Sequence, residues 1–91
     1  MRFPNFPGAE LIAEGIQDLA HSRESVPACL VSIGAPRLRR AGLAIPEKTI
    51  PSPEHRLYEL LLADNPEGAF SLYNSLLRRL VSFERAAECA G

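Results

Sequence analysis

The sequence has few cysteines and lacks the cysteine spacings typical of small folds that disulfides or a zinc ion stabilise. Cys29 and Cys89 stand sixty positions apart in a chain of 91 residues. Such a pair makes neither a disulfide framework nor a zinc signature. We therefore expect two reduced thiols, as in proteins of the cytoplasm.

Long apolar runs and an excess of one charge are also missing. The longest uninterrupted apolar runs are a few residues, and the first ten residues lack the apolar stretch of a secretory signal. We accordingly expect a cytoplasmic protein with no membrane contact. A net charge of −1 excludes a global basic field that would attract nucleic acid. Nine of the ten basic residues are arginine, which we attribute to a GC-rich, bacterial genome.

No motif of a catalytic or metal site is present. His21 and His55 belong to no HxxxH pattern, and there is no CxxC, phosphate-binding glycine loop or GxSxG. Ser25, Ser32 and Cys29 have no identifiable base partner. We expect no catalytic residues, metal or cofactor. A small enzyme of unknown type is the third hypothesis, and it would need a pocket that joins one of the histidines to a carboxylate.

Proline is abundant but absent from the last quarter. None of the eight prolines follows Pro66, and proline disfavours helix interiors and central strands. The pattern predicts one all-α domain over 1–91, with four to five helices, an irregular arm over 1–7 and a proline-rich linker over 43–53. Five prolines are expected at helix starts: Pro7, Pro27, Pro36, Pro53 and Pro66.

Caps and apolar periodicity place the individual helices. A first helix is expected over Gly8–Ser22, and a second begins after the N-cap Ser25 and ends at Gly34. A short helical turn then runs from Pro36 to the C′ residue Gly42. After the linker, Ser52 and Pro53 begin a helix that runs to Ala63, and Asn65 and Pro66 begin the last one.

The last helix carries the strongest pattern, an a/d repeat kept over six positions. The repeat consists of Ala69, Tyr73, Leu76, Leu80, Phe83 and Ala87, at spacings of 4, 3, 4, 3 and 4. Phe70, Leu72, Leu77 and Val81 widen the apolar band. About 24 residues make a helix of roughly 36 Å, which exceeds the roughly 26 Å diameter of a compact chain this long. Either the other helices cover the band, or a partner also contacts it.

Two arginine clusters offer alternative interpretations. Arg37, Arg39 and Arg40 lie in a segment, 26–43, that resembles a degenerate helix-turn-helix with Gly34 at the turn. Leu30 at the normally small fifth position, Pro36 in the bend and a six-residue second helix depart from that motif. Otherwise these arginines form a solvated face or pair with Glu10, Glu14 or Asp18. Arg78, Arg79 and Arg85 either contact an acidic partner or pair along the helix with Glu84 and Glu88.

The sequence thus favours a small non-catalytic helical interaction or regulatory module. We expect it to self-associate as a homodimer or to dock on a protein partner, with an antitoxin-like companion protein as one form. The expected interface residues are Tyr73, Leu76, Leu77, Leu80, Val81 and Phe83. The alternative is a nucleic-acid-binding regulator that uses Arg37, Arg39 and Arg40.

Overall fold

The computed structural model describes residues 6–90, which form four α-helices and no strand. These are α1 (Ala9–Ala20), α2 (Val26–Arg40), α3 (Pro53–Asp64) and α4 (Ala69–Ala90). The all-helical class predicted from the sequence is confirmed. Five of the seven residues of the expected N-terminal arm lie outside the described residues.

Helices α1 and α2 approach each other closely at Gly15. A Cβ atom at Gly15 would lie 2.3 Å from the carbonyl oxygen of Pro27 and 2.5 Å from Cγ2 of Val31. Glycine is therefore required here by the contact between the two helices, although it weakens the helix that contains it.

Helix α2 is continuous, and the break expected at Gly34 does not occur. The two short helices predicted over 26–41 are one helix of 15 residues, with Pro36 in its interior. Gly34 is buried against α4, where an added Cβ would lie 2.7 Å from Oε2 of Glu84 and 2.9 Å from Cδ1 of Leu80. Gly34 thus serves close packing and not a turn. Pro36 is exposed, so its ring lies on the solvent side of α2.

The predicted N-cap Ser25 and the predicted C′ residue Gly42 are confirmed, and they lie at the two ends of α2. The Ser25 hydroxyl accepts a hydrogen bond from the Ala28 amide at 3.2 Å and donates one to Asp18 at 2.6 Å. At the other end, Gly42 has φ of 99°. The Leu43 amide donates to the Leu38 carbonyl at 3.0 Å, which is the Schellman arrangement.

The linker after α2 is held against that helix. Ile45 and Ile50 are buried. The Ile50 amide donates to the Ser32 hydroxyl at 3.1 Å, and Arg39 donates to the Pro46 carbonyl at 2.7 Å. The Ser32 hydroxyl in turn donates to the Ala28 carbonyl. Ser32, for which the sequence suggested no partner, is therefore a structural hydroxyl.

The starts of α3 and α4 differ in detail from the prediction. Pro53 is the first residue of α3, but Ser52 has φ of 45° and its side chain makes no capping hydrogen bond. Pro66 is not at the first helical position, because a turn over 66–68 precedes α4. The side chain of Asn65 accepts a hydrogen bond from the Gly68 amide at 3.3 Å within that turn.

The core is centred on α2, which packs against each of the other three helices. The principal extents of the molecule are 38, 24 and 18 Å. Phe83 is fully buried and contacts the ring of Phe6, with ring centroids 6.2 Å apart. Tyr73 meets Tyr58 of α3 edge to face, at 5.5 Å. The longest extent of the molecule, 38 Å, exceeds the roughly 33 Å length of the 22-residue α4, so the expectation that this helix would extend beyond the domain is not met.

Candidate helix-docking face on α4

Helix α4 presents two parallel rows of side chains, offset by one residue. The first, which we call the core row, is the a/d repeat predicted from the sequence. Five of its six residues are buried, and Tyr73 is half-buried. The core row is therefore confirmed as the face that α4 turns toward the rest of the domain. Its members are Ala69, Tyr73, Leu76, Leu80, Phe83 and Ala87.

The six residues predicted to contact a partner divide between the core and the surface. Leu76, Leu80 and Phe83 are at most 6% exposed, so a partner cannot reach them while the domain stays folded. Tyr73 is half-buried against Tyr58. Leu77 and Val81 are half-buried and border a groove on the outside of α4. Of the predicted set, these two are best placed to contact another molecule.

The second row, which we call the open row, consists of Phe70, Asn74, Leu77 and Val81. Its spacings of 4, 3 and 4 residues repeat the heptad pattern of the core row, one residue further along the chain. Phe70 is 65% exposed, the largest exposure among the large apolar residues in the described part of the chain. A shallow groove of about 470 Å³ runs beside the row, bordered by Asn74, Leu77, Arg78, Val81, Ser82 and Arg85.

An ion cluster from α2 covers the end of the same row. Continued by the heptad spacing, the open row reaches Glu84 and then Glu88. Arg37 of α2 donates to Glu84 at 3.1 Å and makes a two-point contact with Glu88 at 2.7 and 3.1 Å. The predicted partners of Arg37, which were Glu10, Glu14 and Asp18, are wrong. The exposed part of the row therefore ends at Val81.

The two carboxylates of this cluster differ in their environments. Glu84 is buried, and its burial raises the pKa of its carboxyl, against the opposing influence of Arg37. Glu88 is exposed, and its hydrogen bonds from Arg37 lower the pKa of its carboxyl. Arg40 and Arg85 also lie close enough to Glu88 to lower that pKa further.

The three arginines of α4 form no ion pair within residues 6–90. For Arg78, Arg79 and Arg85, the alternative in which they pair along the helix with Glu84 and Glu88 is therefore not observed. Arg78 and Arg85 border the groove beside the open row, and we call these two the basic rim. Arg37 binds Glu88, the carboxylate three residues after Arg85, whereas Arg78 has no carboxylate three or four residues away on α4.

The three arginines proposed to contact nucleic acid make different contacts in the structure. Arg37 is bound to two carboxylates and Arg39 to a backbone carbonyl, while Arg40 is exposed and forms no ion pair within residues 6–90. Because α2 is continuous, the turn that a helix-turn-helix reader requires is absent from this segment. The sequence alone did not show this, because Gly34 and Pro36 are ordinary turn residues.

The groups considered for catalysis are separate from one another. His21 contacts the Gln17 carbonyl, and the exposed His55 lies 3.5 Å from Glu59. Cys29 is fully buried, and burial raises the pKa of its thiol to about 11. No group of three or more histidine, cysteine, aspartate or glutamate side chains within residues 6–90 is arranged to hold a metal ion.

None of the four described helices combines the length and apolar character needed to cross a membrane. In comparisons with known proteins, no family model, curated protein or solved structure matches this chain.

The signal for the open row was available in the sequence but incomplete. Phe70, Leu77 and Val81 widen the apolar band in the sequence, but Asn74 interrupts them, and the predicted interface does not include Phe70. The heptad spacing counted from residue 70 places all four side chains on one line.

Proposed function

We propose that this protein is a non-catalytic helical interaction module that docks on a protein partner through the open row of α4. The observation that carries the proposal is that the other helices cover this heptad-spaced row only in part, because Leu77 packs partly against the core while Phe70 stays exposed. Phe70 is mostly exposed, and Leu77 and Val81 border a groove with no other helix on its far side. An apolar row of this spacing is the feature by which helices pack on one another.

The width of the apolar band supports the proposal better than the length of α4 does. A helix that packs on one side of its own domain needs a single apolar stripe. Helix α4 already satisfies that need with the core row, of which five residues between Ala69 and Ala87 are buried and Tyr73 is half-buried. The open row is additional apolar surface, and exposed apolar surface beside polar residues is typical of an interaction site.

A site-specific crosslinking experiment tests the proposal. A photoreactive amino acid replaces Val81 in the open row, and in a matched protein it replaces Leu72. Leu72 is a suitable control because it is also apolar, lies on the same helix and is 40% exposed, but it does not border the groove. Both proteins are expressed in the cells from which the gene comes and are irradiated.

The expected result is one crosslinked product with another protein from position 81 and none from position 72. Equal labelling from both positions, or no product from position 81, would contradict docking through the open row. A product with the mass of two copies of this chain would assign the surface to self-association. Sedimentation of the purified protein at micromolar concentration provides an independent measure of that alternative.

A further inference from the structure

The position of each side chain in the heptad of the open row restricts what can lie on it. With Asn74 and Val81 at a positions, Phe70 and Leu77 fall at d positions. The basic rim residues Arg78 and Arg85 then fall at e positions, which flank the apolar contact between two helices and choose the partner by charge. The other flank of the row, at g positions, is Tyr73 and Leu80, which belong to the core row.

A second copy of α4 is a poor occupant of this surface. In an antiparallel pair, e positions face e positions, so Arg78 and Arg85 would oppose the same arginines of the other copy. In a parallel pair, e positions face g positions, which here are Tyr73 and the buried Leu80. Neither arrangement gives the basic rim a carboxylate, and the antiparallel one places like charges together.

The carboxylates on α4 form no ion pair with the basic rim, although Arg85 lies close enough to Glu88 to lower the pKa of that carboxyl. Glu84 and Glu88 are both bound to Arg37. The two guanidinium groups of the rim therefore stay without an ion pair in the described part of the chain, beside an apolar row that is open to a partner. A partner that covers this row must provide the missing carboxylates or leave two cations beside a desolvated contact.

We propose that the occupant of the open row is an amphipathic helix of a different protein, with apolar a and d positions and glutamate or aspartate facing Arg78 and Arg85. This inference rests on the proposed function and adds the chemistry of the partner. From Phe70 to Arg85 the surface is about 22 Å long, which matches a partner helix of about four turns. Asn74 at a single a position sets the register, since a buried polar side chain favours the alignment that pairs it.

A pair of designed peptides tests the charge requirement directly. Both are three-heptad helices with leucine at the a and d positions, except for one asparagine placed to meet Asn74. The acidic peptide has glutamate at the flanking positions, and the basic peptide has lysine there. Binding of each labelled peptide to the intact protein is measured by fluorescence anisotropy at low and at high salt.

The intact protein should bind the acidic peptide about tenfold more tightly than the basic one, since two exposed ion pairs replace two like-charge contacts. The difference should shrink between about 0.05 and 0.5 M salt, because exposed charges are screened. The double variant Arg78→Glu/Arg85→Glu should reverse the preference. Arg79→Glu is the matched control, because Arg79 is an exposed arginine of the same helix that does not border the groove.

Equal affinity for the two peptides, or an equal effect of Arg79→Glu and the double variant, would overturn the acidic-helix proposal. So would preferential binding of random DNA duplex that weakens steeply with salt, or a dimer of the protein alone in sedimentation. Failure of both peptides together with a heterologous crosslink at position 81 would leave the proposed function standing and reject only the partner chemistry. Far-UV circular dichroism of every variant checks that the helices remain folded.

Discussion

Replacing Gly15 by alanine should force α1 and α2 apart. The new methyl carbon would lie 2.3 Å from the carbonyl oxygen of Pro27 and 2.5 Å from Cγ2 of Val31. Comfortable separations between such atoms are about 3.5 Å, so the two helices must separate by about 1 Å. The Val31 side chain can adjust, but the Pro27 carbonyl is part of the backbone at the start of α2 and cannot rotate away.

The expected loss follows from two opposing effects on the free energy of unfolding. Alanine in place of a helical glycine stabilises a helix by about 1 kcal/mol. Overpacking of a close contact costs about 1–3 kcal/mol, and occasionally more. Because a backbone atom is the obstacle, we expect the upper end of that range and a net loss of about 2 kcal/mol. For a domain of this size, that loss lowers the melting temperature by roughly 10 °C.

Urea unfolding followed by far-UV circular dichroism measures the change, with Gly34→Ala as the matched control. Gly34 is also a buried helical glycine, so the helix-forming gain of alanine is the same. The atoms that a Cβ would meet there belong to the side chains of Glu84 and Leu80, at 2.7 and 2.9 Å, and side chains can move. Gly15→Ala should therefore lose at least about 1 kcal/mol more than Gly34→Ala. If Gly15→Ala is as stable as the wild type, this contact does not limit how closely α1 and α2 pack.

Three further predictions concern proline, acid and thiol chemistry. Pro36→Ala should raise the free energy of unfolding by about 2 kcal/mol, since an exposed proline inside a helix lacks an N–H; no gain in urea unfolding would contradict this. Glu84→Gln and Glu88→Gln should change the pH dependence of stability in opposite directions. The raised pKa of Glu84 makes its ionisation oppose folding, so the wild type loses stability relative to Glu84→Gln as the pH rises above the usual value of 4.5. The lowered pKa of Glu88 gives stability that is present above pH 4.5 and lost as the pH falls through the lowered value. The free energy of unfolding of the wild type should therefore increase relative to that of Glu88→Gln as the pH rises toward 4.5. Parallel pH profiles of the wild type and the two variants would refute both predictions. With Ellman's reagent, the exposed Cys89 should react in the folded protein, whereas Cys29, which is buried with a pKa of about 11, should react only after unfolding.

Features set by neighbouring residues were predictable from the sequence. The N-cap at Ser25, the C′ glycine at Gly42 and the core row of α4 depend on contacts within one helix or its ends. Each has a local physical cause, which is a hydroxyl within reach of a free amide, a backbone with positive φ or a heptad of apolar side chains. The all-helical class followed from these local causes.

Features that depend on a second helix were not predictable in the same way. Gly34 and Pro36 are ordinary turn residues, yet α2 continues through both because Gly34 packs against α4 and Pro36 faces solvent. Arg37 pairs across 47 and 51 positions of sequence with Glu84 and Glu88. Nothing local distinguishes those two carboxylates from the other acidic residues, so the ion cluster could not be predicted without the packed structure.

The predicted interface residues divide between core and surface for the same reason, because the division depends on how the other helices pack on α4. Periodicity showed how wide the apolar band of α4 is, but it could not show which half the domain covers itself. The packed helices assign Leu76, Leu80 and Phe83 to the core and leave Leu77 and Val81 at the groove.

The charged residues of α4 relate its packing against α2 to the properties of its exposed face. Within an isolated α4, Glu88 lies three residues after Arg85 and would be its natural partner, whereas no carboxylate lies three or four residues from Arg78. The α2–α4 contact binds Glu88 to Arg37, so the packing that completes the domain also leaves Arg85 without an ion pair beside the open row. At Arg85, the selectivity proposed for that row is thus a consequence of how α2 packs on α4. A surface that gains its charge in this way exists only in the folded domain, and the unfolded chain would not show the same preference for an acidic helix.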